Sequence, residues 1–263
     1  MKKYIFIFKT TIMDSLQYIM NIILGFVTYI LILFIFLNLW QYIYTDPEKL
    51  INGYSLQQMI WYVILTETIW FGTRNGAIIS QISNDIKSGA IAYVINKPYH
   101  YVIYMIVRNL GEIAIKFFLY LCAGLTLGYI WVGGIPEFNP IYIPLIIMIL
   151  ISATLINNFL TMSISLLSFW IEDAAPFHWI YVKILLILGI LFPVEMFPVW
   201  AQPIIRSSPI YVITYGPVKL IISFSIEIFT SVLLAQVIYL LGSFLLLMGL
   251  YQKGVKKINV NGG

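Results

Sequence analysis

The chain has 263 residues, 61% of them hydrophobic and only 10% charged, with 15 Lys and Arg against 11 Asp and Glu, and its mean hydropathy is +0.92. A soluble domain carries about a quarter charged residues, so this composition describes a membrane protein and leaves loops too short for a soluble catalytic domain. The net charge of +4 marks one side of a bilayer rather than a nucleic-acid surface.

Residues 2–18 mix Tyr4, Ile5, Phe6, Phe8, Ile12, Met13 and Leu16 with Lys9, Thr10, Asp14 and Gln17. That mixture suits an interfacial elbow helix over 1–18 that precedes the upward turn of the chain, with a ragged start to the first span as the alternative. No small-residue cleavage site follows it, so it does not read as a removable signal peptide. The stretches 15–45, 138–171 and 228–252 contain no charge, and each is long enough to cross about 30 Å of hydrocarbon. They predict spans at 20–40, 142–170 and 224–247. Three further spans at 58–80, 101–132 and 177–197 carry charges, Glu67 and Arg74 in the first, Arg108, Glu112 and Lys116 in the second, and Lys183 in the third. The predicted fold class is all-α, a polytopic membrane protein with six transmembrane helices in a single domain over 1–263.

Placing the N-terminus inside puts Lys2, Lys3, Lys9, Lys87, Lys97, Lys183, Lys253, Lys256 and Lys257 in the cytosol and only Lys49, Arg206 and Lys219 outside. The cation bias therefore predicts cytosolic termini. Trp40, Trp61, Trp131 and Trp200 then fall near the outer interface, and Trp170 and Trp179 near the inner one. Cys122 lies in an apolar run and is expected to be a small buried hydrophobe.

Enzymatic motifs are missing. No glycine is followed by lysine, so the GxxxxGK[ST] phosphate cradle is lacking. His100 and His178 have no nearby second ligand of metal-binding type, and no Ser/His/Asp or convergent carboxylate arrangement is visible.

Three constellations remain. In the inner loop, Ser83 or Asn84 can cap a helix with Asp85 in its first turn and Ile86, Ala90, Tyr93 and Val94 at helical spacing, stopped by Pro98. Such a helix over 84–95 could dock on a partner or simply lie on the membrane. In the second half, Pro193, Pro198, Pro203, Pro209 and Pro217 interrupt a segment that is still apolar. Broken backbone cannot face lipid, so 193–218, containing Glu195 and Trp200, is predicted to be covered by protein, re-entrant or at the outer surface, with a plain extracellular loop as the alternative. Among the span charges, helical rise places Glu67 about 20 Å and Lys116 about 22 Å from the inner boundary, with Arg74 about 9 Å, Arg108 about 10 Å and Glu112 about 16 Å from it. Contacts of Glu67 with Lys116 and of Arg74 with Glu112 follow, against the alternative of a self-satisfied stripe along one helix. Gly72 with Gly76 and Gly124 with Gly128 are small-residue pairs that permit close helix approach, with dimer contact a further option.

Asp85-Ile-Lys-Ser-Gly-Ala-Ile-Ala, followed by Asn96-Lys-Pro, resembles the inner-loop pattern of type-two ABC exporter permeases of about 260 residues. Phe169-Trp-Ile-Glu-Asp-Ala, Gly189-Ile-Leu-Phe-Pro-Val-Glu-Met-Phe-Pro-Val-Trp and Ser208-Pro-Ile look like that family's second-half signature. The motifs span about Asp85 to Lys219, and Lys97 stands where the family often has Arg. The resemblance implies a permease in the plasma membrane that pairs with a second copy or a homologous permease and binds two cytosolic ABC ATPase subunits. ATP and Mg would sit on those partners and no cofactor on this chain. It also implies an ATPase-coupling surface at Asn84, Asp85, Ile86, Lys87, Gly89, Ile91, Tyr93, Lys97 and Pro98, an outer re-entrant hairpin before the last span, and export of a drug, peptide, lipid or lipid-linked glycan. The competing functions are an ion-coupled carrier and a non-transporting scaffold. No inverted internal repeat supports the carrier.

Overall fold

The computed structural model describes residues 2–17, 19–46, 49–74, 76–95, 97–136, 138–171 and 173–261. Within them the chain forms helices and no strand, the one bridge pairing Ile51 with Tyr54. Of the residues in the sequence motifs, Asn96 and Glu172 lie outside the described residues, as do both ends of the 1–18 segment.

Helix α1 (Lys2–Gln17) is distinct from α2 (Ile19–Ile43). Ser55 then starts α3 (Leu56–Thr73) through a capping box, its side chain accepting from the Gln58 amide while Gln58 accepts from the Ser55 amide. After extended Arg74 the chain re-enters helix as α4 (Gly76–Lys87), bends at Gly89, and forms α5 (Ala90–Ile95) and the long α6 (Tyr101–Val132). Helix α7 (Ile143–Ser165) follows, then α8 (Ala175–Leu185), which passes into a π turn over Leu186–Ile190. Helix α9 (Gln202–Arg206), a second π turn over Tyr211–Tyr215, α10 (Gly216–Ile222) and α11 (Ile226–Asn261) complete the chain.

Among the described residues four helical stretches are long and apolar enough to cross a membrane: Ile22–Ile43, Tyr101–Val132, Pro140–Phe169 and Ile226–Lys257. The remaining expected spans are shorter. Helix α3 has 18 residues, about 27 Å of rise, and Ala175–Ile190 is a shorter apolar helix of about 24 Å. The charged span expected over 58–80 ends earlier than hydropathy implied, because α3 stops at Thr73.

Helix α3 is the centre of the molecule: Met59 to Ile69 are all buried, among α2, α6 and the segment that ends in α10. Its fit against α6 depends on missing side chains. A Cβ on Gly72 would lie 2.8 Å from the Phe117 backbone, one on Gly124 would lie 2.5 Å from the Thr68 hydroxyl, and one on Gly128 would lie 2.4 Å from the Trp61 ring. These glycines are packing positions within the chain, as expected. Gly76 is not, because it opens a separate helix and a Cβ there would meet nothing within 4 Å.

The same contacts fix the register of α3 on α6 and correct the expected charge pairs. With Gly72 opposite Phe117 and Gly124 opposite Thr68, Glu67 faces the level of residue 122, six residues or about 9 Å from Lys116. The Glu67 to Lys116 contact is not made. Nor is Arg74 paired with Glu112, which instead lies 3.7 Å from Arg108 along its own helix, while the Arg74 guanidinium sits 5.7 Å from the Trp70 ring centroid. Hydropathy had set the span boundary inside α4, which shifted the counted depths. Cys122 is also corrected. It is exposed rather than buried, on the outward face that carries Phe118, Leu125 and Tyr129.

A second, smaller core occupies the end that holds both termini, built from Ile78, Ile82, Ile91, Tyr101, Met105, Phe169 and Tyr251. His100 and Tyr101 lie 5.0 and 6.1 Å from the Tyr251 ring. At the opposite, distal end, Tyr142 stacks on Phe224 with 3.7 Å between ring centroids, and Gln57 and Trp61 donate to the Gly134 carbonyl. Between them, Gln236 of α11 donates to the carbonyls of Ile149 and Val212, both at 3.0 Å. Gln236 lies ten residues, about 15 Å, into α11. Val212 is therefore at a similar depth, and the buried run from Tyr211 to Ile222 climbs from there to the distal end.

Candidate functional site: the termini-side loop and the distal polar cluster

The termini-side loop is not the single helix the sequence suggested over 84–95. Asn84 and Ser83 lie within α4 instead of capping a new helix, and the break falls at Gly89, whose φ of +73° favours glycine. The Ser83 hydroxyl pairs with that of Ser168 at 2.8 Å, tying α4 to the helical turn that follows α7. Asp85 accepts from the Tyr101 hydroxyl at 2.9 Å, which fixes the last turn of α4 against the start of α6. Ile91 is fully buried in the smaller core and Ile86 packs against it. The two apolar residues thus anchor the bend from inside.

Val94 packs against the same core, and much of the remaining bend points outward. Asn84, Lys87, Ser88, Gly89, Ala90 and Ala92 are exposed, and Tyr93 is 73% exposed with Lys97 lying 4.9 Å from its ring centroid. Helix α1 braces the base of the loop, since Lys3 donates to the Pro98 carbonyl and the His100 amide donates to the Tyr4 hydroxyl at 3.2 Å. These braces were not legible in the sequence, because Lys3 and Tyr4 stand more than ninety positions from their partners. Burial of the His100 ring lowers its pKa below the usual 6.5, and its Nδ1 is buried without a hydrogen-bond partner.

Within the proline-rich segment, Glu195 gathers a cluster the sequence reading did not assemble. Its carboxylate accepts from the Tyr215 hydroxyl, from Tyr54 at 3.1 Å and from Arg206 at 3.3 Å. Lys219 donates to the Tyr54 hydroxyl at 2.8 Å, and the Tyr44 hydroxyl donates to the Tyr54 carbonyl at 2.8 Å. The loop after α2 is thereby fastened to the segment before α11. A signal existed: one acid and two cations, Arg206 and Lys219, stand within 25 positions in an otherwise apolar stretch. Pro193 is buried and Pro209 half-buried, whereas Pro198 and Trp200 are exposed. The two π turns meet where Gly189 faces Thr214, a Cβ on Gly189 lying 2.2 Å from the Thr214 hydroxyl. Such turns widen a helix locally and recur at functional positions.

The span charges serve other ends than those expected. Glu67 is 3% exposed, and the ion pairs among the described residues are Arg108 with Glu112 and Arg206 with Glu195. Among the described residues no group of three His, Cys, Asp or Glu could hold a metal ion.

These features define a multi-pass helical membrane protein. A family profile described as ABC-2 family transporter protein matches residues 30–262. The chain belongs to that family, is an ABC transporter permease by that membership, and the family implies partnership with ABC ATPase subunits. No curated protein matches the chain. The matched region begins inside α2, so helix α1 lies outside it.

Proposed function

We propose that this chain is the transmembrane subunit of an exporter that moves an amphipathic substrate, such as a drug, peptide, lipid or lipid-linked glycan, out of the cytosol. Two ATPase subunits drive it, and a second copy or a homologous permease completes the pathway. Both termini lie in the cytosol of a cell whose plasma membrane the chain crosses six times, with α3 and Ala175–Ile190 as the shorter crossings. The segment from Pro193 to Pro217 forms the outer re-entrant hairpin, and the α4 to α5 bend is the coupling element.

The observation that carries this reading is the α4 to α5 bend. It presents Lys87, Gly89 and Tyr93 to solvent at the end carrying the termini while Asp85, Ile91 and Pro98 root it in α6 and α1. A handle that is exposed at the tip and stiff at the root transmits displacement instead of absorbing it. When ATP closes the partner subunits, force on this tip passes through the Asp85 to Tyr101 bond into α6 and, through the α6 to α3 packing, into the centre of the molecule.

The test is reconstitution with the cognate ATPase. Tyr93→Asp places a charge on a side chain that supports no core, so the variant folds with an unchanged melting temperature. It should lose ATPase association and nucleotide-driven efflux together. A Tyr93→Asp chain that still binds the ATPase and couples hydrolysis to transport would overturn the assignment.

A further inference from the structure

The charges that Glu67 and Glu112 do not neutralise converge on one place. A crevice of about 520 Å³ runs between α1 and α6, lined by Ser15, Gln17, Ile22 and Lys116 among others. A second cavity of about 300 Å³, lined by Ile22, Phe71, Arg74, Lys116 and Tyr120, continues it towards α3. Ile22 and Lys116 line both, so the two are one cleft open along the helices. Each volume falls in the range of small-ligand sites, about 300–1,000 Å³.

The depth of the cleft follows from α6. Its 32 residues rise about 48 Å, some 18 Å more than the hydrocarbon thickness. With Val132 at the distal boundary, the other boundary crosses α6 near Glu112. Lys116 is then one turn inside the hydrocarbon, close enough for its amine to reach the headgroup level. Arg74 arrives at the same level as the residue that ends α3. Neither cation enters an ion pair among the described residues, whereas Arg108 is paired with Glu112.

We propose that this cleft binds the phosphate-bearing headgroup of a bilayer phospholipid from the leaflet on the side of the termini. Arg74 and Lys116 clasp the phosphate. Ser15 and Gln17 of α1 offer it further donors, and the acyl chains leave along Ile22, Phe71 and Tyr120. Two cations, Arg74 just past the end of α3 and Lys116 on α6 one turn inside the hydrocarbon, suit an anion delivered from the bilayer plane, and the apolar wall suits its tails. Asp14 and Glu112 also line the crevice and limit the affinity, Asp14 more than Glu112, whose charge is offset by Arg108. The bound lipid would mortar α1 to α3 and α6, beside the root of the termini-side loop. The assignment concerns a resident lipid and holds whatever cargo the permease carries.

Native mass spectrometry of the purified full chain in detergent tests it with three probes. These are phosphatidylglycerol, a monogalactosyl diacylglycerol with the same tails but no phosphate, and inorganic phosphate alone. The wild type should retain one phosphatidylglycerol at least fivefold better than the galactolipid and should not retain inorganic phosphate. Arg74→Gln with Lys116→Gln should lose that preference, Arg74→Lys with Lys116→Arg should keep it, and Asp14→Asn should strengthen it. Lys253→Gln with Lys256→Gln removes equal charge from an exposed stretch of α11 and should change nothing. Equal retention by the Gln variant and the wild type, or equal loss in the α11 variant, would overturn the site. Retention of inorganic phosphate alone would overturn the lipid as its occupant.

Discussion

Replacing Glu195 tests whether the proline-rich segment is held by one carboxylate. In Glu195→Ala the Tyr54 and Tyr215 hydroxyls, on residues 1% and 2% exposed, lose their acceptor. A buried donor left without a partner costs about 1–3 kcal/mol. The two hydroxyls lie 3.4 Å apart and can turn to each other, so the two losses do not add in full. The Arg206 contact adds less than about 1 kcal/mol, because its side chain is 45% exposed. Removal of the acid also leaves Lys219 and Arg206 facing each other without a counter-charge. The expected total is about 2–4 kcal/mol. For a chain of this size each kcal/mol moves the melting temperature by about 2–4 °C, so thermal unfolding in detergent, followed by tryptophan fluorescence, should fall by roughly 4–16 °C. Glu195→Gln keeps an acceptor oxygen and should recover at least half of that. An alanine variant as stable as the wild type, or a glutamine variant as unstable as alanine, would refute the argument.

Other perturbations test the packing and the loop. Gly72→Ala pushes a Cβ to 2.8 Å from the Phe117 backbone and should cost about 1–3 kcal/mol by forcing α3 away from α6, whereas Gly76→Ala, with open space around it, should be neutral or slightly stabilising in the same melt. The register of these helices predicts that Glu67→Gln and Lys116→Leu act independently, with a coupling below about 0.5 kcal/mol in a double-mutant cycle; a larger coupling would restore the direct contact. His100 binds its proton less readily in the fold than in the unfolded chain, so the fold is favoured above pH 6.5 and progressively disfavoured as pH falls below it. The stability difference between wild type and His100→Asn should accordingly shrink on acidification, and a difference independent of pH would show that the ring is not desolvated.

The two strongest features of the sequence acted locally, and both survived into the structure. A lone run without charge can satisfy its backbone in a bilayer only as a helix; α2, α7 and α11 follow from that, and α6 takes the bounds expected of it although it carries three charges. Pro98 follows the end of α5 and Pro193 the end of the π turn at Ile190, while Pro203 and Pro217 stand in the first turns of α9 and α10, positions that backbone geometry sets without help from a neighbour. The bend at Gly89 was less visible, because glycine permits a positive φ without requiring it. Contact with the buried Ile91 and the Asp85 to Tyr101 bond decides that the chain turns there.

Tertiary structure alone decided which helix faces meet and at what height. Hydropathy varies too slowly along a span to locate a boundary within a turn or two, and an error of six residues moved Glu67 to the level of Lys116. The true register is set by Gly72 against Phe117 and Gly128 against Trp61, pairs separated by dozens of positions, whose meeting is a matter of shape. The Glu195 cluster has the same origin. Its members come from the loop after α2, the proline-rich segment and α10, and a half-buried carboxylate is held there by the donors that converge on it.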